Sequence, residues 1–353
     1  MARCTALAST FALLLLLGSA GCGFEGFEGP QRLRNLRILG LSASQSLVEP
    51  GTDLTLEALW IDPEPFDEDD VITAWFPGCI NPDFGSLENC LDELNDLRAE
   101  SGAEWPAEFS PEPGSRVEVE VDEQLLAGRE SYGIQYFFFA VCHGARFEFA
   151  PSKHDSVPIV CRDERGRAVN APNFRLGYRT VTALPDLPAE LPVGGPQIVG
   201  FEFDGQLYDP HCRGTDCNGY HEPECSDFDC PPFLPIDPED DCDSEKDPEN
   251  CTGTHFRVVL DEESLTVDWL ASAEQEELQT VEIHAEYFAT IPPFNALDYI
   301  HAPTPWGEDG GWDREARSGF VMEPGAVAIE SVFLWAVVYD STGGVSWAGI
   351  GVE

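Results

Sequence analysis

The sequence predicts an all-β protein: two β-sandwich domains with one short helix and a disulfide-rich acidic insert. Three observations lead there. Apolar residues recur in short runs at period two, each run closed by Pro, Gly or Asp. The chain carries 28 Pro and 32 Gly in 353 residues, punctuation too dense for long helices. Its 12 cysteines leave an even ten once Cys4 and Cys22 near the N-terminus are set aside. Hydrophobic residues at 42% and aromatics at 11% supply a core and exclude a wholly disordered chain. The length suits two domains.

Residues 1–21 read as an export signal. Arg3 gives a short positive start, and Leu7 to Leu17 is an apolar run broken only by Ser9 and Thr10. That run is too short to span a hydrocarbon core of about 30 Å. The following Leu17-Gly18-Ser19-Ala20-Gly21-Cys22 resembles a bacterial lipobox, in which small residues precede a cysteine that is lipidated on sulfur and becomes the new N-terminus. Ala20, Gly21 and Cys22 fit the pattern, whereas Ser19 stands where Leu or a similar residue is usual. The alternative is a plain secretory peptide cut after Ala20. The resemblance implies a lipid anchor at Cys22, and Gly23 rather than Asp after it implies the outer membrane of a Gram-negative envelope. Residues 22–35, with Gly-Phe-Glu-Gly-Phe-Glu-Gly at 23–29, read as a flexible tether.

Residues 36–184 form the first expected sandwich. Leu36, Ile38 and Leu41 open it, and Glu49-Pro50-Gly51-Thr52 is a turn. In Asp53 to Ile61, Leu54, Leu56, Ala58 and Trp60 share one face, the pattern of a half-buried strand. Asp62-Pro63-Glu64-Pro65 stops it, because proline donates nothing to a ladder. Further strands are Val71 to Phe76, Val117 to Val121, Ile134 to Cys142 and Phe174 to Thr180. Between them Ser86 is placed to cap a helix carrying Leu87, Cys90, Leu91, Leu94 and Leu97. Cys79 and Cys90 bracket one loop and Cys142 and Cys161 another, so each pair is expected to bond. A metal site at these four is disfavoured by spacing and by an oxidising compartment.

Arg37-Ile38-Leu39, Val48-Glu49-Pro50-Gly51-Thr52, Leu54 to Trp60, Asp62-Pro63 and Trp75 resemble the opening strands of bacterial Ig-like and PKD-like modules. The closing segment, Val332 to Asp340, Ser341 to Gly344 and Val345 to Val352, is similar to the final hairpin of such modules. More narrowly, both are similar to surface lipoproteins of myxobacteria and related predatory or social bacteria. The resemblance covers about half of each domain and implies two Ig-like sandwiches. Those lipoproteins have no assigned activity, so no functional residue is carried over.

Residues 185–197 form a linker whose Pro185, Pro188, Pro192 and Pro196 make a semi-rigid spacer. Residues 198–353 form the second sandwich, with strands at Ile198 to Phe203, His255 to Leu260, Leu265 to Leu270 and Val281 to Phe288, and then the closing hairpin. Within it, residues 208–252 are an insert. From Tyr208 to Cys251 it holds fourteen Asp/Glu against Arg213 and Lys246, and the six cysteines Cys212, Cys217, Cys225, Cys230, Cys242 and Cys251. It has no hydrophobic period and cannot bury a core of its own. Its order is expected to come from three disulfides, among fifteen possible connectivities.

Asp240, Asp241, Asp243, Glu245 and Asp247 set hard oxygens at near-alternate positions, as Ca²⁺ coordination wants. The run is loosely similar to acidic calcium repeats of thrombospondin type. It departs from an EF-hand at Lys246, where the turn glycine belongs, and at Thr252, where the bidentate Glu belongs. The alternative is a solvated acidic loop. Zinc held by His211, His221 and the insert cysteines is disfavoured by export.

The charge sum, 19 − 65 = −46, excludes nucleic-acid partners, which need Lys/Arg to displace counterions. It disfavours a polybasic membrane contact as well. Gly344-Val345-Ser346-Trp347-Ala348 nearly fits a nucleophile elbow, but it lies in a closing hairpin with no helix after it. His284 and Glu286 share a strand face without an HExxH motif. Trp306, Trp312 and Phe320 stand among glycines in a loop from His301 to Phe320, where exposed aromatics could stack on sugar rings. The expectation is therefore a non-enzymatic envelope lipoprotein that serves as a binding or structural module. It would be held in the membrane by its lipid and would meet an unidentified envelope or extracellular protein or glycan, with no cofactor beyond Ca²⁺. Two alternatives stand beside it: an accessory glycan-binding or degenerate extracellular hydrolase module, and a calcium-dependent adhesion module.

Overall fold

The computed structural model describes residues 33–218 apart from loop segments, of which 63–70, 102–109, 150–158 and 188–194 are the longest. Beyond residue 218 it describes the strands from Thr254 onward, with few of the residues between them. Cys22, Cys225, Cys230, Cys242, Cys251, the carboxylates from Asp240 to Asp247, His221, Trp306 and Trp312 lie outside the described residues.

In chain order, the described strands of the first half are β1 Arg37–Ala43, β2 Leu47–Val48, β3 Asp53–Ile61, β4 Val71–Ile80, β5 Glu112–Pro113, β6 Arg116–Glu120, β7 Gly133–His143, β8 Arg146–Phe149, β9 Ile159–Arg162 and β10 Phe174–Ala183. The second half adds β11 Ile198–Phe203, β12 Gln206–Tyr208, β13 Cys212–Arg213, β14 Thr254–Leu260, β15 Val267–Asp268, β16 Gln279–Thr280, β17 Ile283–Ala289, β18 Ala296–Asp298, β19 Ser318–Val321, β20 Val332–Asp340 and β21 Val345–Val352. One α-helix, α1 Leu87–Ser101, and a 3₁₀ turn at Gly214–Cys217 complete the described elements. The all-β, sandwich-like class read from the sequence is the observed one.

Four sheets carry the architecture. Sheet 1 runs β1-β3-β6, sheet 2 β2-β10-β7-β4-β5, sheet 3 β13-β21-β20-β17 and sheet 4 β12-β11-β14-β19-β18. β7 is the central strand of sheet 2, paired antiparallel with β10 from Phe174↔Cys142 to Ala183↔Gly133 and with β4 on its other side. Its inner residues Phe137, Phe139 and Val141 pack with Trp75 and with Leu54, Leu56, Ala58 and Trp60 of β3, forming the first sandwich core. On the outer face, Phe138, Tyr136 and Phe76 meet α1 through Cys90 and Leu94. The helix starts where the sequence places it: the Asn89 N–H donates to Ser86 Oγ (3.2 Å).

The alternation in β3 predicts burial on one face only, and there the structure differs. From Ala58 to Ile61 every residue is buried, and Leu59 and Ile61, both at 0% exposure, point away from the first core. They join Leu33 and Leu39 in a second core with Phe288, Phe333, Trp335, Val337, Val345 and Trp347 of the other half. Sheet 1 is thus covered on both faces near its β1–β3 end. β20 is apolar on both faces, as expected: Trp335 and Val337 turn to sheet 1, while Leu334, Ala336 and Val338 are buried on the opposite side. The Val258 N–H donates to Tyr287 Oη there (3.3 Å), linking β14 of sheet 4 to β17 of sheet 3.

Three disulfides are described. Cys79 bonds Cys90 and Cys142 bonds Cys161, fastening α1 and the β8–β9 hairpin to sheet 2. Cys212 bonds Cys217 across the 3₁₀ turn. Each closes a loop and stabilises by about 2–4 kcal/mol. The last of them shows that the insert is not wholly peripheral. Cys217 is 4% exposed and packs in the second core with Leu59 and Ile61, so the first residues of the insert are structural members of the main body.

Candidate functional site

Polar contacts at the joint supplement its apolar core. Tyr339 Oη donates to Leu39 O (2.9 Å), crossing from β20 to β1. The Trp60 N–H donates to Asn218 Oδ1 (3.0 Å), and Trp347 Nε1 donates to Gly214 O (2.6 Å), fixing the root of the acidic insert on both halves. Arg179 of β10 is buried and donates through Nη2 to Gly343 O in the β20–β21 turn, facing Asp340. Burial lowers its pKa to about 10, partly opposed by the Asp340 carboxylate. Asp340 Oδ1 in turn accepts from the Gly344 N–H (2.6 Å).

A cavity of about 260 Å³ opens at this joint. Ser42, Thr55, Glu57 and Arg116 line it from sheet 1, and Gln197 of the linker with Arg213 and Ser346 of the second half line it from the other side. Each residue is there for a local reason. β3 and β6 pair Glu57 with Arg116 across the ladder, and Arg116 Nη1 holds Glu57 Oε1 at 2.9 Å. Thr55 Oγ1 donates to Glu118 Oε1 (2.7 Å) in the same ladder. Arg213 donates through its two terminal nitrogens to Ile198 O and Val199 O, so its charge is fixed in the wall. Gly195 seats the linker on the closing hairpin: a Cβ there would lie 2.6 Å from Val345 N, so only glycine permits the approach. The Ser346 hydroxyl is buried without a hydrogen-bond partner among the described residues.

Of the near-elbow residues, Val345, Ser346 and Trp347 line the cavity, in a strand and not in an elbow. Among the described residues lining it there is no histidine to act as a base for Ser346. Burial first, and the nearby Glu286 carboxylate of β17 second, raise the Tyr339 pKa well above its usual value. His211 Nδ1 accepts from the Gly351 N–H (3.0 Å), and Cys212 and Cys217 are consumed in a disulfide, so these three do not form a zinc site. Among the described residues no group of three or more His, Cys, Asp or Glu is placed to hold a metal ion. His143 contacts the buried Asp62 where β7 meets the end of β3, a part-buried link between sheets 2 and 1.

Sequence reading did not find the cavity, since its walls come from separate strands and no motif joins them.

Fold and joint together define a disulfide-bonded, sandwich-like all-β protein with a polar cavity between its halves. No family model matches the chain, and no curated protein matches it. Among solved structures it overlaps a Salmonella alpha-2-macroglobulin variant at 12% identity and a TM-score of 0.24, covering 92% of this chain and 17% of that one. An overlap at that score carries no argument about fold or function.

Proposed function

We propose that the chain is a non-enzymatic, lipid-anchored protein of the outer membrane, acting as a binding or structural module. The observation that supports it best is the second core. Leu33, Leu39, Leu59 and Ile61 of one half pack with Phe333, Trp335 and Trp347 of the other, which stiffens the body that follows the tether. A stiff body behind a tether suits presentation of a surface to a partner, and the acidic insert is rooted in the same joint through Gly214 and Asn218. Anchoring at Cys22 rests on the lipobox resemblance.

Metabolic labelling with an alkyne fatty acid tests the anchor. Wild-type chain is expected to carry the label and to fractionate with outer membrane, and Cys22→Ser to be unlabelled and released. An unlabelled, soluble wild type ends the lipoprotein reading. Crosslinking and pull-down from native cells then addresses the partner.

A glycan-binding accessory module is the second reading. The joint cavity favours it, since hydroxyl, amide, carboxylate and guanidinium groups converge there.

A further inference from the structure

We infer that the cavity at the joint is a binding site for an acidic sugar unit of the hexuronate class. The inference rests on the binding-module reading and is independent of the anchor. A space of about 260 Å³ accommodates one monosaccharide and not a folded peptide element. Its walls are mixed: Ser42, Ser44 and Thr55 offer hydroxyls, Gln197 an amide and Glu57 a carboxylate, and Trp347 adds apolar surface. These are the partners a polyol uses, each hydroxyl both donating and accepting.

Charge selects the acid. Two guanidiniums, Arg116 and Arg213, face one carboxylate, Glu57, in a chain whose net charge is −46. Arg213 is held by backbone carbonyls and contributes a fixed field. Arg116 holds Glu57 through one nitrogen and is 61% exposed along its side chain, so the rest of its fork is open to a ligand carboxylate. One net positive charge suits a monoanion. A phosphate dianion would meet Glu57 and, through Thr55, the neighbouring Glu118. A bare carboxylate such as acetate would leave the hydroxyl lining unused.

Calorimetric titration of the full chain in detergent with D-glucuronate, D-glucose and acetate tests this. Glucuronate is expected to bind about tenfold more tightly than either control. Arg116→Gln should abolish that preference. Glu57→Gln should strengthen it, because the competing carboxylate is gone; a merely structural Glu57 would give no gain. Thermal midpoints of the variants report folding, and Arg116→Lys retains the charge where Arg116→Gln fails to fold. No heat with glucuronate, equal affinity for glucose or acetate, or weaker binding by a folded Glu57→Gln overturns the inference. A chain that ignores glucuronate yet captures an envelope protein ends this inference and leaves the binding-module reading standing.

Discussion

Sheet 1 has two faces, and they are built differently. The first-core face is made by residues the sequence sets in strict alternation, Leu54, Leu56, Ala58 and Trp60, and it meets strands of its own half. The second-core face is made by Leu39, Leu59 and Ile61, and it meets strands hundreds of residues away. The first is an ordinary sandwich interior. The second is an interface between halves that has the burial of an interior, with Trp335 1% exposed and Leu59 at 0%. Inter-domain contacts in many chains are polar and permit motion. Here a dry face makes the same β-strands serve two cores.

Two tryptophans probe that difference and carry the largest expected effect. Trp75 belongs to the first core and Trp335 to the second, each 1% exposed. Truncation of either to Ala should destabilise by about 3–5 kcal/mol. Hydrogen exchange separates them. Trp75→Ala should loosen β4, β7 and β10 together with β1 and β3; Trp335→Ala should loosen β20 and β21 together with β1 and β3. If Trp335→Ala leaves β1 and β3 fully protected, the second core is no interior and the comparison breaks.

The buried cation is the next most sensitive element. Arg179 reaches from sheet 2 to Gly343 in the hairpin turn and faces Asp340. Arg179→Met strands the Asp340 carboxylate in a dry place, with an expected loss of about 3 kcal/mol in urea unfolding. Adding Asp340→Asn removes the stranded charge and should recover part of the loss. A double variant no better than the single one would show that the contact with Gly343, not the charge pair, is what matters.

What was legible in the sequence follows the same division. The first core could be read because period-two alternation reports burial against neighbours close in the chain, and loop-bracketing cysteines reported Cys79–Cys90 and Cys142–Cys161. Leu59 and Ile61 extend an alternating run, so they look like its ragged end; nothing local says that a second layer covers them. The cavity was illegible for the same reason. Glu57, Arg116, Gln197 and Arg213 are ordinary surface residues until β-pairing and the joint bring them together. The near-elbow at Ser346 is set aside in the sequence because no helix follows it, and it is a strand residue of the closing hairpin. The early acidic insert looked separate because its composition is so biased, yet Cys217 enters the core.

The smallest effect sharpens the comparison most finely, because it concerns one hydrogen bond across the second core. Tyr339 Oη donates to Leu39 O, joining β20 to β1. Its pKa is raised by burial first and by the Glu286 carboxylate second. A raised folded pKa means that the unfolded tyrosine loses its proton near pH 10 while the folded one keeps it. The stabilisation is therefore whole below pH 10 and falls above it, by about 1.4 kcal/mol per pH unit until the folded group ionises. Tyr339→Phe removes the hydrogen bond, about 1 kcal/mol at pH 8, and also removes that alkaline slope. Arg179 titrates in both proteins and cancels from the difference. Wild type should thus exceed Tyr339→Phe in urea midpoint at pH 8, and the gap should close by about pH 11. A gap that stays constant across that range would mean the hydroxyl is not enclosed, and the joint would be a wet contact between two bodies instead of one continuous interior.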